Sequence, residues 1–411
     1  MPDAFNVLMV ANWDWVIYNF RLVLAKALRD EGYSITFVCP DGTYRHRLQD
    51  EGFRWREWHL ERRSLNPLTE VKAIKALADL YAEEQPDLIH HDTIKPNVYG
   101  ALATWINLKR GARARPPQLI NSFMGIGFLF SDRPLARALR PVVLPVMRFG
   151  MNQAHILTTF SNQGDRSTFI NLGIVRPDRS REIVSEFVNT ERFAPLSASA
   201  NVCPAVPEGP PGRDDPPLRV LMAARLLWDK GVQEFVDAAR LLRTRGLAVE
   251  FCLAGEPDTN TPGYVPEAKL KAWDEEDAIN WLGYCSNMPD LLRHVDIGVL
   301  PTHYNEGMPR FLVEAAATGL PLITTDLEAC RRVVSHEENG YIIPVRNGRQ
   351  LAEAVARLVQ DAEKRDAMGT ASRLRVLNRF SEQKALAAWR ALYARKRAIA
   401  RSSTSVANTD A

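Results

Sequence analysis

Short apolar segments alternate with longer amphipathic segments along most of the chain. Four apolar segments in the first half have the character of buried strands: Phe5 to Val10, Ile35 to Val38, Leu88 to His90 and Leu119 to Ile120. Between them, apolar residues recur at helical spacing, as in Leu22, Ala25 and Leu28 and again in Val71, Ile74, Ala78 and Tyr81. This rhythm predicts a parallel sheet whose two faces are both covered by helices.

The same alternation restarts after a proline-rich segment. Seven prolines lie between Pro195 and Pro217, where the chain is expected to run extended or irregular. The strand-like segments that follow are Leu218 to Ala223, Val249 to Ala254, Ile279 to Leu282, Ile297 to Leu300 and Pro321 to Thr324. A second parallel sheet is therefore predicted in the C-terminal half.

These patterns divide the chain into five parts. We predict an N-terminal Rossmann-like domain over residues 1–188, a linker over 189–217 and a C-terminal Rossmann-like domain over 218–380. A helix over 381–400 is expected to pack back toward the N-terminal domain, and the polar residues 401–411 are expected to form a disordered tail. In open sheets of this kind, ligands bind beyond the carboxyl ends of the strands.

Composition narrows the class of protein. The 411 residues are 46% hydrophobic and 25% charged, with a net charge of +3, which is typical of a globular enzyme and not of a disordered, fibrous or membrane-spanning chain. The five cysteines are widely spread and show no paired spacing, so neither a disulfide framework nor a zinc cluster is indicated. These features favour a reducing, cytoplasmic location.

Two glutamates, Glu306 and Glu314, bracket the predicted start of a helix after the strand Ile297 to Leu300. Gly307 allows a ligand to approach the backbone and Pro309 suits a first helical turn, so this helix start is a candidate diphosphate site. Glu314 stands alone among apolar neighbours, where ribose hydroxyls would supply hydrogen-bond partners. The alternative is that Glu306 caps the helix and Glu314 is a surface residue.

Two cations lie in a predicted strand-to-helix turn. Arg225 and Lys230 fall between the strand that ends near Ala223 and a helix that begins near Val232. Fixed cations at such a turn bind a pyrophosphate and stabilise the charge of a departing nucleoside diphosphate. The alternative is an ordinary solvated loop.

Together these residues resemble family 4 of the glycosyltransferases, which are retaining enzymes of the GT-B fold. The likeness spans the second half, from Trp281-Leu282-Gly283 through Glu306 to Asp326 and Asn339-Gly340. The resemblance implies an α/β architecture of two Rossmann-like doubly wound domains that face each other across a cleft. It implies that Arg225, Lys230 and Glu306 are catalytic and that the donor contacts Arg225, Lys230, Glu306, Gly307, Met308, Pro309 and Glu314. The cations would replace a metal ion, and no metal or cofactor is expected.

The first half matches this family more loosely. In the segment Asn121 to Phe130, Met124 occupies the position where many relatives carry a histidine. The residues expected to line the acceptor side of the cleft are Asn12, His90, Lys95, Gly125 and Gly127. Because adjacent strand residues point to opposite faces, His90 and His91 cannot share a metal ion, and we expect one to lie in the core and one in the cleft.

A basic segment follows in the N-terminal half. Residues 101–150 contain eight Lys or Arg and a single Asp, and Pro141 and Pro145 predict a kinked helix. An apolar stripe is expected at Leu139, Val142, Val143, Val146 and Met147. Such a helix either rests on anionic lipid or packs its apolar side on the sheet with its basic side solvated.

The resemblance leads to a functional hypothesis. It implies retaining transfer of a hexose or N-acetylhexosamine from a nucleotide-diphosphate sugar, by family habit a UDP-sugar, to a polyprenyl-diphosphate-linked saccharide in cell-surface polysaccharide synthesis. Such an enzyme would work in the cytoplasm, peripherally at the inner membrane. The alternatives are a nucleotide-sugar epimerase of the same architecture and an inactive homologue that acts as a scaffold. The basic segment lacks the interleaved aromatic residues of a nucleic-acid platform, and no nucleic-acid partner is expected.

Overall fold

The computed structural model describes most of the chain: residues 4–62, 64, 66–113, 115–125, 128–130, 134–185, 187–195, 217–259, 261–304 and 307–405, without the side chains of Phe128 and 403–405. The chain forms two compact units. Unit 1 comprises Met1–Glu186 and Ala385–Ala411, and unit 2 comprises Phe187–Lys384. The predicted linker therefore falls in unit 2, where residues 189–195 and Pro217 are its described part.

The described part of unit 1 contains a seven-stranded parallel sheet in the order β3-β2-β1-β4-β5-β6-β7. Its strands are β1 (Phe5–Ala11), β2 (Tyr33–Cys39), β3 (Arg54–Glu57), β4 (Leu88–Asp92), β5 (Gln118–Phe123), β6 (Ile156–Phe160) and β7 (Ser180–Glu182). Its helices are α1 (Asp14–Phe20), α2 (Leu22–Asp30), α3 (Arg45–Asp50), α4 (Pro67–Glu84), α5 (Ile94–Lys109), α6 (Pro134–Met151) and α7 (Gln163–Asn171).

The described part of unit 2 contains a six-stranded parallel sheet in the order β10-β9-β8-β11-β12-β13. Its strands are β8 (Leu218–Ala223), β9 (Val249–Ala254), β10 (Asn280–Gly283), β11 (Ile297–Leu300), β12 (Leu322–Thr325) and β13 (Gly340–Ile343). Its helices are α8 (Val232–Thr244), α9 (Glu267–Glu275), α10 (Met288–Leu292), α11 (Arg310–Ala317), α12 (Glu328–Val333), α13 (Gly348–Gln360) and α14 (Ala362–Arg379), and α15 (Glu382–Ser405) follows them.

Burial on both faces explains why the central strands are almost wholly apolar. In β1, Val7 and Met9 pack into one hydrophobic cluster, whereas Leu8 and Val10 pack into another. Successive strand residues point to opposite faces, so these two clusters lie on the two sides of the sheet. The sheet of unit 1 is therefore covered on both sides, as the sequence pattern predicts.

Helix α15 contributes aromatic and basic side chains to unit 1. The Trp389 indole N–H donates to the Val184 carbonyl at 3.1 Å, and Trp389 and Tyr393 join the cluster that contains Val7. Lys396 donates from Nζ to Gln118 Oε1 at 3.1 Å. Because the Lys396 ammonium is buried, its pKa is lowered to about 8.

None of the helices in the described part of the chain has the combination of length and apolar character needed to cross a membrane.

Candidate functional site

The predicted donor residues of unit 2 lie where the strand order reverses. Strands β8 and β11 are neighbours in the sheet, but the chain leaves β8 toward β9 on one side and leaves β11 toward β12 on the other. The segments that follow β8 and β11 therefore lie side by side at the carboxyl edge of the sheet. Ligands bind at such switch points in open α/β sheets.

The turn after β8 lies in close contact with the segment after β11. Gly231 has a φ of +84°, and a Cβ placed on it would lie 2.2 Å from the Pro301 carbonyl oxygen. A positive φ and so close a backbone both require glycine at this position. Gly231 thereby fixes Lys230, its neighbour in the chain, beside the segment after β11.

Gly231→Ala is expected to destabilise the protein by about 3 kcal/mol, since the left-handed conformation costs a non-glycine residue ~1–2 kcal/mol and the clash with Pro301 adds to it. Gly246→Ala is the matched control, because Gly246 has a φ of +72° but open space around its Cβ position. Urea unfolding of both variants measures the difference. Equal losses in the two variants would show that the contact with Pro301 imposes no constraint.

Lys230 is nearly buried and faces an aromatic ring. Its residue is 9% exposed, and its Nζ lies 4.7 Å from the ring centroid of Tyr304 in the segment after β11. A cation over an aromatic face is held in place by the ring quadrupole. The ammonium is thus positioned at the switch point before any ligand arrives.

Asp229 links the two segments through its backbone and its side chain. Its carbonyl oxygen accepts from the His303 amide at 2.9 Å and from Thr302 Oγ1 at 3.2 Å. Its carboxylate lies 3.3 Å from His303 Nε2, whereas His303 Nδ1 is buried without a hydrogen-bond partner among the described residues. The sequence interpretation gave Asp229 and His303 no role, and neither belongs to a motif that would have identified them.

Arg225 lies on the exposed side of the same turn. Its Nη1 is 3.1 Å from Asp258 Oδ2, and the two side chains are 54% and 26% exposed. Such an exposed ion pair contributes about 0–1 kcal/mol, so an anion that carries more charge than one carboxylate competes with it easily. Arg225 is therefore held near the switch point by a weak, exchangeable contact.

Glu314 pairs with an arginine one helical turn earlier. Arg310 donates from Nε at 3.2 Å and from Nη2 at 3.0 Å, in both cases to Glu314 Oε1. The hydrogen bonds formed by described residues thus leave Oε2 as an acceptor for a ligand. Burial raises the pKa of Glu314, and Arg310 opposes that shift. The i, i+4 spacing of Arg310 and Glu314 is visible in the sequence, and it could have identified this pair.

The start of α11 has no side-chain cap. Its N-cap is Pro309, which offers no side-chain hydrogen bond to the first-turn amides, and Met308 and Pro309 are buried. The first-turn amides and the dipole of a helix favour a negatively charged ligand. Gly307 precedes these residues, whereas Glu306 lies outside the described residues.

Three of the predicted acceptor residues of unit 1, Asn12, Lys95 and Gly125, follow strands at its carboxyl edge. Asn12 follows β1 and Gly125 follows β5, and β4 lies between these strands in the sheet. Lys95, near the start of α5, has its ammonium engaged by Glu70 at 2.8 Å, with the side chain 18% exposed. Gly127 lies outside the described residues. The strand order therefore places Asn12 and Gly125 on the same edge.

The expectation that one of the two histidines lines a cleft was wrong, because both are fully buried. His90 Nδ1 lies 2.7 Å from Tyr393 Oη and His90 Nε2 lies 2.7 Å from Ser122 Oγ. His91 is likewise bonded at both ring nitrogens, to Tyr81 and Asn121. Burial lowers the pKa of His90 well below its usual range and that of His91 to about 4. His90 is therefore a neutral core residue and not an acceptor ligand.

Family models match both halves of the chain. The model described as "Glycosyl transferases group 1" matches residues 209–375, and the model described as "Glycosyl transferase 4-like" matches residues 6–161. The first match contains the switch point of unit 2, and the second runs from Asn6 in β1 to the end of β6 in unit 1.

Two named relatives match over most of their length. The N,N'-diacetylbacillosaminyl-diphospho-undecaprenol alpha-1,3-N-acetylgalactosaminyltransferase of Campylobacter jejuni subsp. jejuni is 29% identical over 351 residues, which cover 85% of this chain and 88% of that protein. The UDP-Gal:alpha-D-GlcNAc-diphosphoundecaprenol alpha-1,3-galactosyltransferase of Escherichia coli is 22% identical over 341 residues, or 82% of each chain.

A solved structure shares the fold. The crystal structure of Anabaena Alr3699/HepE in complex with UDP superposes with a TM-score of 0.73 at 18% identity, covering 95% of this chain and 99% of that one. At this level of identity, the likeness establishes the architecture of the two units.

Proposed function

Because the chain belongs to family 4 of the glycosyltransferases, we propose that it transfers a hexose or N-acetylhexosamine from a UDP-sugar to a polyprenyl-diphosphate-linked saccharide in cell-surface polysaccharide synthesis. The observation that carries this proposal is the position of Lys230, nearly buried and held against Tyr304 at the switch point of unit 2. A fixed cation at this edge suits a donor that leaves as a nucleoside diphosphate.

The donor would bind at the carboxyl edge of unit 2. Lys230 and Arg225 would neutralise the diphosphate, with Arg225 exchanging Asp258 for a phosphate oxygen. The amides at the start of α11, after Gly307, would donate to the same group. Glu314 Oε2 would accept from the ribose hydroxyls, and Glu306 would face the transferred sugar, as the family resemblance implies.

Transfer would retain the anomeric configuration. The bond between the anomeric carbon and the phosphate oxygen breaks as the acceptor hydroxyl forms a new bond to the same face of that carbon. The acceptor proton passes to the departing phosphate, and Lys230 and Arg225 stabilise the charge that remains on the diphosphate. This route needs no protein base, and it is therefore compatible with Met124 at the position where many relatives carry histidine.

The names of two relatives support the proposed acceptor and donor classes. The relatives from Campylobacter jejuni and Escherichia coli are both named as alpha-1,3 transferases acting on a sugar linked to undecaprenol through a diphosphate. The second name specifies UDP-Gal, which supports a UDP-linked donor. We extend the same two substrate classes to this chain.

Mass spectrometry tests the proposal directly. The purified protein is incubated with individual UDP-sugars and a polyprenyl-diphosphate-linked saccharide fraction, and the lipid is analysed for a gain of one hexose or one N-acetylhexosamine. Conversion of the UDP-sugar into its epimer without acceptor would contradict the proposal in favour of an epimerase. No change to donor or lipid with any of the sugars would favour a scaffold.

Glu314→Gln is expected to raise KM for the donor about tenfold, because a hydrogen bond to a charged group contributes ~1.5–3 kcal/mol. Glu328→Gln, at an exposed position of α12, is the control. The pKa of Glu314 is raised in the folded state, so its contribution to stability is present at low pH and is lost as pH rises through that value. Glu314→Gln is therefore expected to unfold at neutral pH no more easily than wild type. A fall in stability with an unchanged KM would make Glu314 structural.

A further inference from the structure

Two stacked tryptophans lie after β1, at the carboxyl edge of unit 1. The ring centroids of Trp13 and Trp15 are 5.0 Å apart, and the ring planes meet at 23°. Trp15 packs against the hydrophobic cluster that contains Val7, whereas Trp13 is 38% exposed. An exposed indole that rests on an anchored one is a rigid apolar surface. This surface lies at the edge where open α/β sheets bind their ligands.

A buried carboxylate fixes the turn that carries Trp13. Asp14 is 1% exposed, and its carboxylate oxygens accept from the amides of Trp15 at 2.8 Å and Tyr44 at 2.6 Å. Gly42 lets the chain approach this carboxylate, because a Cβ at that position would lie 2.5 Å from Asp14 Oδ2. The turn after β1 is thereby tied to the segment after β2, and the position of Trp13 is set before any ligand binds.

A cation lies over the Trp13 ring. The guanidinium carbon of Arg62 is 4.3 Å from the ring centroid, and Arg62 is an exposed residue in the segment that follows β3. Because cation–π contacts at exposed sites are weak, a ligand that binds the guanidinium more strongly draws it from the ring. Phosphate is such a ligand, since arginine binds it through two parallel N–H donors. Trp13 and Arg62 thus place an apolar ring beside an anion-binding group.

Lys95 holds the segment that carries Arg62. Its ammonium donates to the carbonyl oxygens of Glu61 at 3.1 Å and Ser64 at 2.8 Å, and it pairs with Glu70 at 2.8 Å. Glu61 and Ser64 flank Arg62 in the chain. These contacts use the three donors of the ammonium. Lys95 therefore fixes the chain on both sides of Arg62, whereas the Arg62 guanidinium itself can exchange the ring for a ligand.

We propose that Trp13 and Arg62 bind the sugar–diphosphate part of the acceptor. Trp13 stacks on the C–H face of the pyranose ring, and Arg62 donates to an oxygen of the diphosphate attached to that ring. Chemical complementarity selects this occupant, because a sugar joined directly to a diphosphate offers an apolar face and an anion side by side, as the indole and the guanidinium do. The inference rests on the proposed function, since it assigns residues to the acceptor of that reaction.

Equilibrium binding in the absence of donor tests the proposal. Three probes are titrated into the purified protein: farnesyl diphosphate, farnesyl-diphosphate-linked glucose and farnesyl-diphosphate-linked N-acetylglucosamine. Stacking uses a C–H face that both sugars have. Wild type is therefore expected to bind at least one sugar-bearing probe about tenfold more tightly than farnesyl diphosphate. Equal affinity of wild type for the three probes, or binding of none of them, overturns the proposal.

Trp13→Ala is expected to lose about tenfold in affinity for the sugar-bearing probe and none for farnesyl diphosphate, because only the stacking surface is removed. Trp13→Phe keeps a ring and is expected to retain most of the affinity. Trp105→Ala is the matched control, since Trp105 is 41% exposed and lies near the end of α5, away from the carboxyl edge of the sheet. A Trp13→Ala protein that discriminates among the probes as wild type does would overturn the proposal.

Arg62→Gln is expected to weaken binding of all three probes about fivefold, because each of them carries the diphosphate. Arg29→Gln is the matched control. Arg29 is also exposed, and its guanidinium carbon lies 4.5 Å from the ring centroid of Phe53, just before β3 and thus at the opposite edge of the sheet. Urea unfolding confirms that each variant is folded. Equal binding by Arg62→Gln and Arg29→Gln would remove Arg62 from the site.

A transfer assay keeps this inference apart from the proposed function. Trp13→Ala is expected to raise KM for the acceptor about tenfold and to leave KM for the UDP-sugar unchanged, because stacking on the acceptor sugar is the only contact removed. Probe binding that depends on Trp13 in a protein that transfers no sugar would count against the proposed function alone. Sugar transfer by Trp13→Ala with the wild-type KM for the acceptor would count against this inference alone.

Discussion

Replacing Lys230 with alanine is expected to lower kcat for sugar transfer by about 10²–10³-fold, the loss typical when one fixed group that stabilises transition-state charge is removed. Lys230 is 9% exposed and lies against the Tyr304 ring, so its ammonium is held in place and largely shielded from water. Shielding strengthens its interaction with the charge that develops on the departing diphosphate. Because that charge is greatest in the transition state, the loss should fall mainly on kcat rather than on KM.

Lys269 supplies the matched control for this experiment. It is an exposed lysine whose Nζ lies 5.1 Å from the ring centroid of Trp228, in the turn that contains Lys230. Lys269→Ala therefore removes a cation next to the same turn without removing the buried one, and it is expected to change kcat less than about twofold. The measurement is initial rate against donor concentration for both variants. If Lys230→Ala retains kcat within tenfold of wild type, Lys230 is not the group that stabilises the leaving diphosphate.

The central strands β1 and β8 could be predicted from the sequence, and the edge strand β3 could not. Strands β1 and β8 are recognisable as apolar runs because helices cover both sides of the sheet. Strand β3, with the sequence Arg-Trp-Arg-Glu, lies at the sheet edge and has no fully buried residue. Its two arginines pair with Glu83 and Glu84 of α4. Its composition does not distinguish it from a loop.

The sequence predicted individual residues of the candidate site but not the contacts between them. The turn with Arg225 and Lys230 was identified because cations between a strand and a helix are a recognisable pattern. The contact of Lys230 with Tyr304 joins residues from different strand-to-helix segments, and so does the bond of Asp229 to His303. Such contacts follow from the strand order, which brings β8 beside β11, and local spacing does not encode that order.

The burial of His90 could not be predicted either, because it depends on a residue far away in the sequence. Its partner Tyr393 lies 303 residues later, on a helix that follows the whole of unit 2. In the sequence, His90 resembles a cleft residue because it follows apolar residues near the end of a strand. Only the return of α15 to unit 1 places an aromatic cover and a hydroxyl partner over it.

Asp92→Ala is expected to destabilise unit 1 by about 3–5 kcal/mol, the cost of leaving one partner of a buried ion pair alone. Arg21 and Asp92 are both fully buried, with Arg21 Nη2 2.6 Å and Nε 3.0 Å from the carboxylate. The Arg21 guanidinium also lies 5.0 Å from the ring centroid of Trp389. Without Asp92, Arg21 keeps its charge in an interior that offers no other carboxylate contact among the described residues.

Urea unfolding tests this expectation against an exposed pair. Asp79→Ala removes a carboxylate that is 50% exposed and pairs with Lys75 and Arg110, so it should cost at most about 1 kcal/mol. A loss in Asp92→Ala as small as that in Asp79→Ala would mean that water or a neighbouring group compensates Arg21.

A double variant tests whether the Arg21–Asp92 pair stabilises the folded protein or only makes the loss of one partner costly. Burial raises the pKa of Asp92 even though Arg21 opposes the shift, so desolvation of the carboxylate outweighs the attraction of its partner. Replacement of a buried ion pair by well-packed apolar residues of similar volume is often neutral or stabilising. Arg21→Met/Asp92→Leu is therefore expected to recover most of the stability lost in Asp92→Ala. If the double variant is instead less stable than Asp92→Ala, the pair is a net source of stability in unit 1 and the desolvation argument fails.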